Sequence, residues 1–395
     1  MRVAILTREY PPDIYGGAGV HVEHLAAELA RLVDVDVHCF GARDDPGVRE
    51  PGLPWVHGHP PLAAFDGGNP ALGAMGIDLA IARAVEGADL VHSHTWYANL
   101  AGHLAGLLHD VPHVATTHSL EPQRPWKAEQ LGGGYALSCW CEKVGLEGAA
   151  RVIAVSKGMR ADVQQAYPAI DPERIAVVYN GIDPAAYKPD PSRRVLDALG
   201  VDPARPYVAF VGRVTRQKGL PVLLEAAAQL RPQAQLVLLA GAADTAELGA
   251  EVDRLVAGLR ETRSGVIWVD RMLPRPDVAQ VLTHAAAFVC PSIYEPLGIV
   301  NLEAMACATA VVASAVGGIP EVVEDGQTGL LVPPSDPAAL AAALNRLLDD
   351  PDLAVRMGTA GRERAIAEFS WRAIAEQTVS LYESVLAGRT ASPRL

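Results

Sequence analysis

Four ionisable residues in the second half of the sequence lie in turns where their side chains could converge. Arg213 and Lys218 stand in the glycine-flanked stretch 212–219, directly after a short apolar run. Glu295 lies in a turn marked by Pro and Gly, and Glu303 follows inside a helical pattern. A guanidinium and an ammonium group suit a diphosphate, and carboxylates suit the vicinal hydroxyls of a sugar. Solvated loop cations, a capping Glu and an exposed Glu are the alternative interpretation.

The first half of the sequence contributes further polar groups. Gly16 and Gly17 precede a helical pattern, so their backbone N–H groups could approach an anion, although a plain tight turn has the same composition. His92 and His94 end an apolar run, and we expect His94 in a pocket and His92 in the core. The segment 124–127 supplies two cations and an aromatic ring, which suit a phosphate and a sugar face or are surface charges on a loop.

Short apolar runs that alternate with amphipathic helical stretches must position these residues. Such runs are typical of buried parallel strands joined by crossover helices. The pattern occurs twice, which predicts two doubly wound α/β domains. The predicted strands are Arg2–Leu6, Val35–Phe40, Leu90–His92, His113–Thr117, Arg151–Val155 and Ile175–Val178, then Tyr207–Val211, Gln235–Ala240, Val266–Val269, Ala287–Cys290, Ala310–Ala313 and Gly329–Val332. Ligands of these sheets bind beyond the carboxyl ends of the strands.

The chain length of 395 residues also suits two domains. We predict a first domain over 1–180, a linker rich in turn formers and proline over 181–206, and a second domain over 207–369. A broad apolar stripe over 370–387 predicts a last helix that must dock on another element. We expect it to pack back on the first domain.

The composition disfavours several classes of protein. A net charge of −13 is unusual for a dedicated nucleic-acid binder, and no apolar stretch has the length of a membrane span or signal-peptide core. The five cysteines are expected to be reduced, and Cys139-Trp140-Cys141 lacks a second ligand pair for zinc. Asp34-Val35-Asp36 leads into a strand and is interpreted as a solvated turn, not a metal motif. We expect a cytoplasmic protein without metal, nucleic-acid or membrane partners.

Together the motifs resemble the retaining glycosyltransferases of family 4, which have the GT-B fold. The resemblance rests on Gly212-Arg213 with Lys218-Gly219, Glu295-Pro296-Leu297-Gly298 with Glu303-Ala304-Met305-Ala306, Gly317-Gly318-Ile319-Pro320-Glu321 and the linker-like Asn180-Gly181-Ile182-Asp183. It implies an α/β protein of two Rossmann-like doubly wound domains that face each other across a cleft. The first would bind the acceptor and the second the nucleotide-sugar donor.

Within that family the sequence is similar to the short glycogen synthases of actinobacteria, which include ADP-glucose-dependent α-maltose-1-phosphate synthases. This likeness rests on Arg8-Glu9-Tyr10-Pro11-Pro12 with Gly16-Gly17-Ala18-Gly19, His92-Ser93-His94-Thr95-Trp96-Tyr97, Thr117-His118-Ser119-Leu120-Glu121-Pro122, the cluster 124–127 and the glycine run 131–135. The larger bacterial synthases of family 5 have a Lys two residues before the Gly-Gly pair. This chain has Ile14 there, so family 5 fits less well.

The resemblance implies roles for the matched positions. It implies catalytic roles for His118, Arg213, Lys218 and Glu295, donor binding by Gly16, Gly17, Gly298 and Glu303, and acceptor binding by Glu9, His94, Arg124 and Lys127. Arg213 and Lys218 would hold the donor diphosphate and neutralise the leaving group. Glu295 would bind the glucose hydroxyls, Glu303 the nucleotide ribose, and His118 would lie beside the glucose.

The implied reaction transfers glucose from ADP-glucose to glucose 1-phosphate with retention of the α configuration. It gives α-maltose 1-phosphate for glycogen and α-glucan synthesis and needs no metal or cofactor. Direct elongation of an α-1,4-glucan, or another family 4 donor and acceptor, is the alternative, and a homodimer is one possible assembly. A nicotinamide dehydrogenase would need a Gly-x-Gly-x-x-Gly turn, which Gly16–Gly19 does not match. A non-catalytic sugar-binding protein would not need Arg213 and Lys218 beside two acids.

Overall fold

Two compact α/β units make up the chain. The computed structural model describes residues 1–43 and 49–391. The first unit comprises Met1–Gly181 and the segment that begins at Trp371, and the second comprises Ile182–Ser370. Each unit contains one parallel sheet with helices between successive strands. The prediction of two doubly wound α/β domains is therefore confirmed.

The sheet of the first unit is built from parallel strands only. They are β1 (Arg2–Thr7), β2 (Asp34–Phe40), β3 (Trp55–His59), β4 (Leu90–His94), β5 (His113–Thr117), β6 (Arg151–Ala154) and β7 (Ile175–Val177). The helices among them are α1 (Gly17–Leu29), α2 (Pro70–Ala84), α3 (Trp96–His109), α4 (Ala128–Leu131), α5 (Gly134–Gly148) and α6 (Lys157–Ala166). The strand order is β3-β2-β1-β4-β5-β6-β7.

Strand β1 shows why the apolar runs of this unit are continuous. Successive side chains of a strand point to opposite faces of the sheet. Val3 and Ile5 belong to the core cluster that includes Leu25 of α1. Ala4 and Leu6 belong to a separate cluster that includes helix α2. Because helices cover both faces, the central positions of the strand, Val3–Leu6, are all apolar.

The second unit repeats this architecture. Its strands are β8 (Tyr207–Val214), β9 (Gln235–Ala243), β10 (Val266–Val269), β11 (Ala287–Cys290), β12 (Val311–Ser314) and β13 (Gly329–Val332). Its helices are α7 (Arg194–Ala198), α8 (Leu220–Ala227), α9 (Ala246–Thr262), α10 (Arg275–Thr283), α11 (Ile299–Ala306), α12 (Ile319–Val322), α13 (Pro337–Asp349) and α14 (Pro351–Glu368). The strands are parallel in the order β10-β9-β8-β11-β12-β13.

The strand order changes direction once in each sheet. In the first unit the change lies between β1 and β4, and in the second between β8 and β11. The connections that leave these neighbouring strands run in opposite directions along the sheet, which leaves a crevice at their carboxyl ends. Predicted site residues lie at or directly after the carboxyl ends of β1, β4 and β5 in the first unit and of β8 and β11 in the second.

The last helix, α15 (Trp371–Ala391), packs on the first unit. The Trp371 ring lies against His21 and stacks on His24, with ring centroids 5.2 and 5.4 Å apart. Tyr382 is fully buried, and its hydroxyl lies 2.6 Å from Nδ1 of His92. Among the helices that the structure describes, none is long and apolar enough to cross a bilayer.

The segment predicted as a linker belongs with the second unit from Ile182 onward. Its helix α7 packs on α10 through the buried residues Val195 and Leu196. The Val195 N–H donates to the side-chain oxygen of Gln280 at 3.2 Å, and Asp190 N–H donates to Thr283 Oγ1 at 3.1 Å. These contacts fix this segment on the second unit.

Every predicted strand is present, with end points that agree with the prediction to within three residues, and among residues 1–43 and 49–391 one strand was missed. Strand β3 has the sequence Trp-Val-His-Gly-His and lies at the edge of the first sheet. Its residues are all half-buried, so it lacks the apolar run that marks the other strands. It is held by pairing with β2, which no local pattern reports.

Tyr382→Phe tests how α15 is held. The substitution leaves Nδ1 of the buried His92 without its hydroxyl partner, and such a loss costs about 1–3 kcal/mol. We expect faster amide hydrogen exchange throughout α15, measured by mass spectrometry. The exposed neighbour Glu383 is the control, and Glu383→Ala should leave the exchange of α15 unchanged. Equal exchange in Tyr382→Phe and the unmutated protein would show that this contact does not anchor the helix.

Candidate active site

The turns that follow β8 and β11, called here the exits of these strands, are in contact because a glycine, Gly219, lies where they meet. Lys218 follows β8 in a short 3-10 turn, where its N–H donates to the Thr215 hydroxyl at 3.3 Å. Gly219 comes next with a φ of +64°, and a Cβ there would lie 2.0 Å from the carbonyl oxygen of Pro291. Glycine alone fits so close an approach. The turn therefore brings Lys218 to the exit of β11.

Lys218 and Glu295 form a buried ion pair at this point. Nζ of Lys218 lies 2.6 Å from Oε2 of Glu295, and Ser292 Oγ donates to the same oxygen at 3.0 Å. The side chain of Glu295 is 7% exposed and that of Lys218 is 20% exposed. Burial by itself would lower the pKa of Lys218, but Glu295 and Cys290 outweigh that effect and the pKa is raised. Lys218 is therefore an ammonium ion at neutral pH.

The exit of β12 supports the backbone of Glu295. The Gly318 N–H donates to the carbonyl oxygen of Glu295 at 3.1 Å. Gly317 has a φ of +53°, and a Cβ there would lie 2.0 Å from that same oxygen. A side chain at position 317 would displace Glu295. The glycine pair that the sequence analysis noted therefore positions an acid of the candidate site.

Arg213 is oriented by a carboxylate on the other side of β8. Its Nη1 lies 2.8 Å from Oδ1 of Asp244, which directly follows β9. Asp244 is nearly buried, and the Arg213 side chain is partly exposed. An arginine presents five N–H donors, which allows it to contact more than one anion. The structure thus holds both predicted cations at the carboxyl end of β8.

Glu303 is a buried carboxylate inside α11 with a tyrosine partner. The hydroxyl of Tyr187 is hydrogen bonded to Glu303. Burial raises the pKa of Glu303, whereas the hydrogen bond from Tyr187 and the charge of Arg275 oppose that rise. Gly298 directly precedes this helix with a φ of +90°, and a Cβ there would lie 2.5 Å from Nδ2 of Asn301.

In the first unit, Glu9 holds the glycine turn that precedes α1. Its Oε2 accepts the N–H groups of Tyr15 at 2.9 Å and Gly16 at 2.8 Å. A Cβ at Gly19 would lie 2.7 Å from this oxygen, so the third glycine makes room for the carboxylate. The N–H of Gly16 is directed at Glu9, and Gly17 is the first residue of α1. Glu9 shapes the turn in this structure.

Three histidines from separate elements meet in the same unit. His94 ends β4 and His118 follows β5, with Nδ1 of His94 3.0 Å from Nε2 of His118. His21 of α1 joins them, its ring centroid 4.6 Å from that of His118. Burial is the main cause that lowers the pKa of each ring, and it lowers the pKa of His21 to about 3. The three imidazoles are neutral at pH 7.

His92 lies next to this group and is fully buried. Tyr382 and Thr116 occupy its two ring nitrogens at 2.6 and 2.7 Å. Its ring centroid lies 4.3 Å from that of His94. His92 therefore joins the histidine group to helix α15 and the sheet.

Arg124 compensates two buried acids near the His118 turn. Its Nη1 donates to Ser119 Oγ at 3.0 Å and lies 3.5 Å from Oε1 of Glu121. Glu142 is also buried and accepts the N–H of Glu121 at 2.9 Å. Burial and the neighbouring Glu121 raise the pKa of Glu142 to about 8. Lys127 ends the next 3-10 turn and is half-buried.

Two family models match the chain. One is described as Glycosyltransferase Family 4 and matches residues 15–186, and the other is described as Glycosyl transferases group 1 and matches residues 193–364. An α-maltose-1-phosphate synthase from Mycolicibacterium smegmatis is 57% identical over 98% of this chain and 100% of that protein. The chain belongs to glycosyltransferase family 4.

Other similar proteins agree with this assignment. A glycogen synthase from Mycobacterium tuberculosis is 31% identical over 100% of this chain and 98% of that protein. The solved structure of a sucrose-phosphate synthase from Thermosynechococcus elongatus matches with a TM-score of 0.82 and 28% identity, covering 98% of this chain and 99% of that structure. The predicted GT-B fold and family are confirmed, and the enzyme is a hexosyltransferase.

Sequence reasoning missed the residues that hold the predicted ones in place. They are His21, Tyr187, Asp244 and Ser292. His21 and Asp244 did carry a signal, since one interrupts an apolar helix face and the other follows a strand next to that of Arg213. Tyr187 carried none, because its contact with Glu303 joins residues far apart in the chain.

Lys218→Ala and Arg213→Ala test the two cations. Loss of one preorganised donor to a developing negative charge lowers kcat by about 10²–10³. We expect that loss in each variant, with an unchanged far-UV circular dichroism spectrum. Arg216 is an exposed cation in the same turn, and Arg216→Ala is the matched control with near-normal kcat. Normal turnover in both Lys218→Ala and Arg213→Ala would refute their role at the leaving group.

Tyr187→Phe tests the environment of Glu303 through pH. The Tyr187 hydrogen bond lowers the pKa of Glu303, so its removal raises that pKa further. Donor binding that needs the carboxylate is lost as the pH falls through this pKa, and the acidic limb of kcat/KM for the donor should therefore move to higher pH. A hydrogen bond to a charged group contributes about 1.5–3 kcal/mol, so we also expect the donor KM to rise roughly tenfold or more. An unchanged pH profile would contradict this placement of Glu303.

Proposed function

We propose that this enzyme transfers glucose from ADP-glucose to glucose 1-phosphate and forms α-maltose 1-phosphate with retention of the α configuration. The observation that carries the proposal is the 57% identity to an α-maltose-1-phosphate synthase over 98% of this chain and 100% of that protein. The identity to a glycogen synthase is 31% over 100% of this chain and 98% of that protein. The difference favours a sugar phosphate over a glucan as acceptor.

The chemistry proposed for the second unit is stabilisation of the leaving diphosphate. As the bond between C1 of glucose and the diphosphate oxygen breaks, its electron pair stays on the diphosphate. A hydroxyl oxygen of the acceptor forms the new bond to C1, and its proton passes to the leaving diphosphate. Lys218 has three N–H donors, so it can keep its contact with Glu295 and donate to a phosphate oxygen. Arg213 can do the same while Asp244 holds one side of its guanidinium. Both cations are held before the charge develops, which is the condition for electrostatic catalysis.

The acids of the second unit suit the uncharged parts of the donor. Glu295 is fixed by Lys218, Ser292 and the backbone of Gly318, and a carboxylate so fixed can accept hydrogen bonds from glucose hydroxyls. Glu303 would accept from the ribose hydroxyls, and the hydrogen bond from Tyr187 opposes the rise in its pKa that burial causes.

In the first unit we assign His118 to the transferred glucose and Lys127 to the acceptor phosphate. His118 is half-buried, and its Nε2 contacts His94, so its ring orientation is fixed. Arg124 contacts Ser119 and Glu121, and these contacts stabilise the turn after His118. Direct elongation of glycogen is the second candidate function, which the similarity to glycogen synthase supports.

A panel of donors and acceptors tests the proposal. The purified enzyme is incubated with ADP-glucose or UDP-glucose, each with glucose 1-phosphate or glycogen, and the products are identified by mass spectrometry. We expect a disaccharide phosphate from ADP-glucose and glucose 1-phosphate, and maltose from it after phosphatase treatment. Lys218→Ala serves as the inactive control.

The panel also separates the alternatives. Extension of glycogen with glucose 1-phosphate left unreacted would contradict the proposed acceptor. A preference for UDP-glucose would contradict the proposed donor. A disaccharide with the β linkage would contradict retention.

A further inference from the structure

His21, His94 and His118, the histidine triad of the first unit, have the geometry of a ligand set. One ring nitrogen from each can be chosen so that all three atoms lie within 4.8 Å of one another. They come from α1, β4 and the turn after β5, so the tertiary fold alone gathers them. His21 and His94 are buried, and His118 is half-buried. The triad is thus buried except at His118, which is partly exposed to solvent.

The ring nitrogens of His21 have little engagement with the described part of the protein. Both are buried, and the Asn180 side chain is the hydrogen-bond partner that His21 has there. That hydrogen bond opposes the lowering of the His21 pKa by burial. Buried polar atoms are normally paired, so an imidazole with one such partner retains capacity for an ion. By contrast, both nitrogens of the adjacent His92 are occupied.

The protonation state of the triad is the one that metal binding requires. A ligand imidazole must be neutral, because the proton and the ion compete for the same nitrogen. Burial lowers the pKa of all three rings, and neighbouring histidines lower those of His94 and His118 further. The rings therefore need not lose a proton at pH 7 before they bind an ion.

The distances also suit a small ion. Zn²⁺ bonds imidazole nitrogen at about 2.0–2.1 Å, which puts two ligand nitrogens of a tetrahedral site about 3.3 Å apart. Nδ1 of His94 and Nε2 of His118 lie 3.0 Å apart, so an ion could replace their hydrogen bond with a shift of a few tenths of an ångström. His21 would move somewhat further to complete a three-nitrogen face. The fourth position would remain open beside His118.

We propose that His21, His94 and His118 bind one first-row transition-metal ion of the Zn²⁺ type, and that this ion inhibits glucosyl transfer. The ligands are all imidazoles, which suit Zn²⁺, Co²⁺ or Cu²⁺, whereas Mg²⁺ and Ca²⁺ require oxygen ligands. The ion is not a cofactor of the transfer. It would occupy a nitrogen of His118, so the inhibition rests on the role of His118 in the proposed function. The existence of the ion site does not depend on that function.

Metal binding to the purified, metal-free protein tests the site. Zn²⁺ is titrated in by calorimetry, and Co²⁺ is used in parallel because its visible absorption reports a four-coordinate site. We expect one Zn²⁺ per chain and the visible bands of four-coordinate Co²⁺. X-ray absorption on the unmutated Zn²⁺-loaded protein should show imidazole nitrogens at about 2.0 Å. The absence of imidazole scattering there would overturn the site without any variant.

Single substitutions locate the ion. His21→Gln, His94→Gln and His118→Gln should each weaken Zn²⁺ binding at least tenfold to a hundredfold, the loss that follows removal of even a supporting partner. His24 is the matched control, since it lies one turn further along α1 and stacks on Trp371 outside the triad. His24→Gln should bind Zn²⁺ normally. Unchanged affinity in the three triad variants, or an equal loss in His24→Gln, would refute the assignment.

Activity measurements separate the ion site from the proposed function. With ADP-glucose and glucose 1-phosphate, we expect Zn²⁺ to inhibit at the concentrations at which it binds, and a chelator to restore the rate. Activity of His21→Gln should resist Zn²⁺, and activity of His24→Gln should remain sensitive. Stoichiometric binding at the triad without inhibition would support the site and contradict the placing of His118 beside the glucose. Inhibition that persists in His21→Gln would show that the inhibitory ion binds elsewhere.

Discussion

The buried ion pair of Lys218 and Glu295 is the interaction on which the candidate site of the second unit depends. Two charges removed from water are stable only when they compensate each other, and loss of one partner from a buried pair costs about 3–5 kcal/mol. The pair joins the exits of β8 and β11, which are neighbours at the point where the strand order changes direction. Gly219 and Gly317 allow the backbone approaches that this neighbourhood requires. The site is therefore a consequence of sheet order as much as of residue type.

A second theme is that carboxylates hold the groups that would contact the substrates. Asp244 orients Arg213, and Glu9 binds the backbone of the glycine turn in the first unit. Glu121 engages Arg124 after the His118 turn. Such supporting contacts fix the geometry before a ligand arrives, and catalysis by fixed charges depends on that preorganisation. The cations held in this way, Arg213 and Lys218, give an acidic protein local positive charge suited to an anion.

The histidines of the first unit follow a different principle. Burial keeps them neutral, so they contribute dipoles, ring packing and lone pairs in place of charge. Both ring nitrogens of His92 form hydrogen bonds, one with Thr116 and one with Tyr382, and His92 thereby connects the sheet with α15. The neighbouring triad makes fewer hydrogen bonds within the described part of the chain. Histidines that lie within a few ångströms of each other therefore differ in how far the protein occupies their ring nitrogens.

The sequence by itself determined the strands with apolar runs, the duplication of the α/β pattern, the family and the types of residue at the strand exits. These features are local, since an apolar run, a glycine turn and a cation before a helix are legible within a short stretch of chain. The weakly apolar strand β3 could not be recognised from its own sequence, because it is held by its pairing with β2. Only the tertiary structure decided that Lys218 meets Glu295, that Asp244 and Tyr187 support Arg213 and Glu303, and that His21 joins His94 and His118. Those contacts depend on which strands and helices become neighbours, and that order follows from long-range packing that no local pattern encodes.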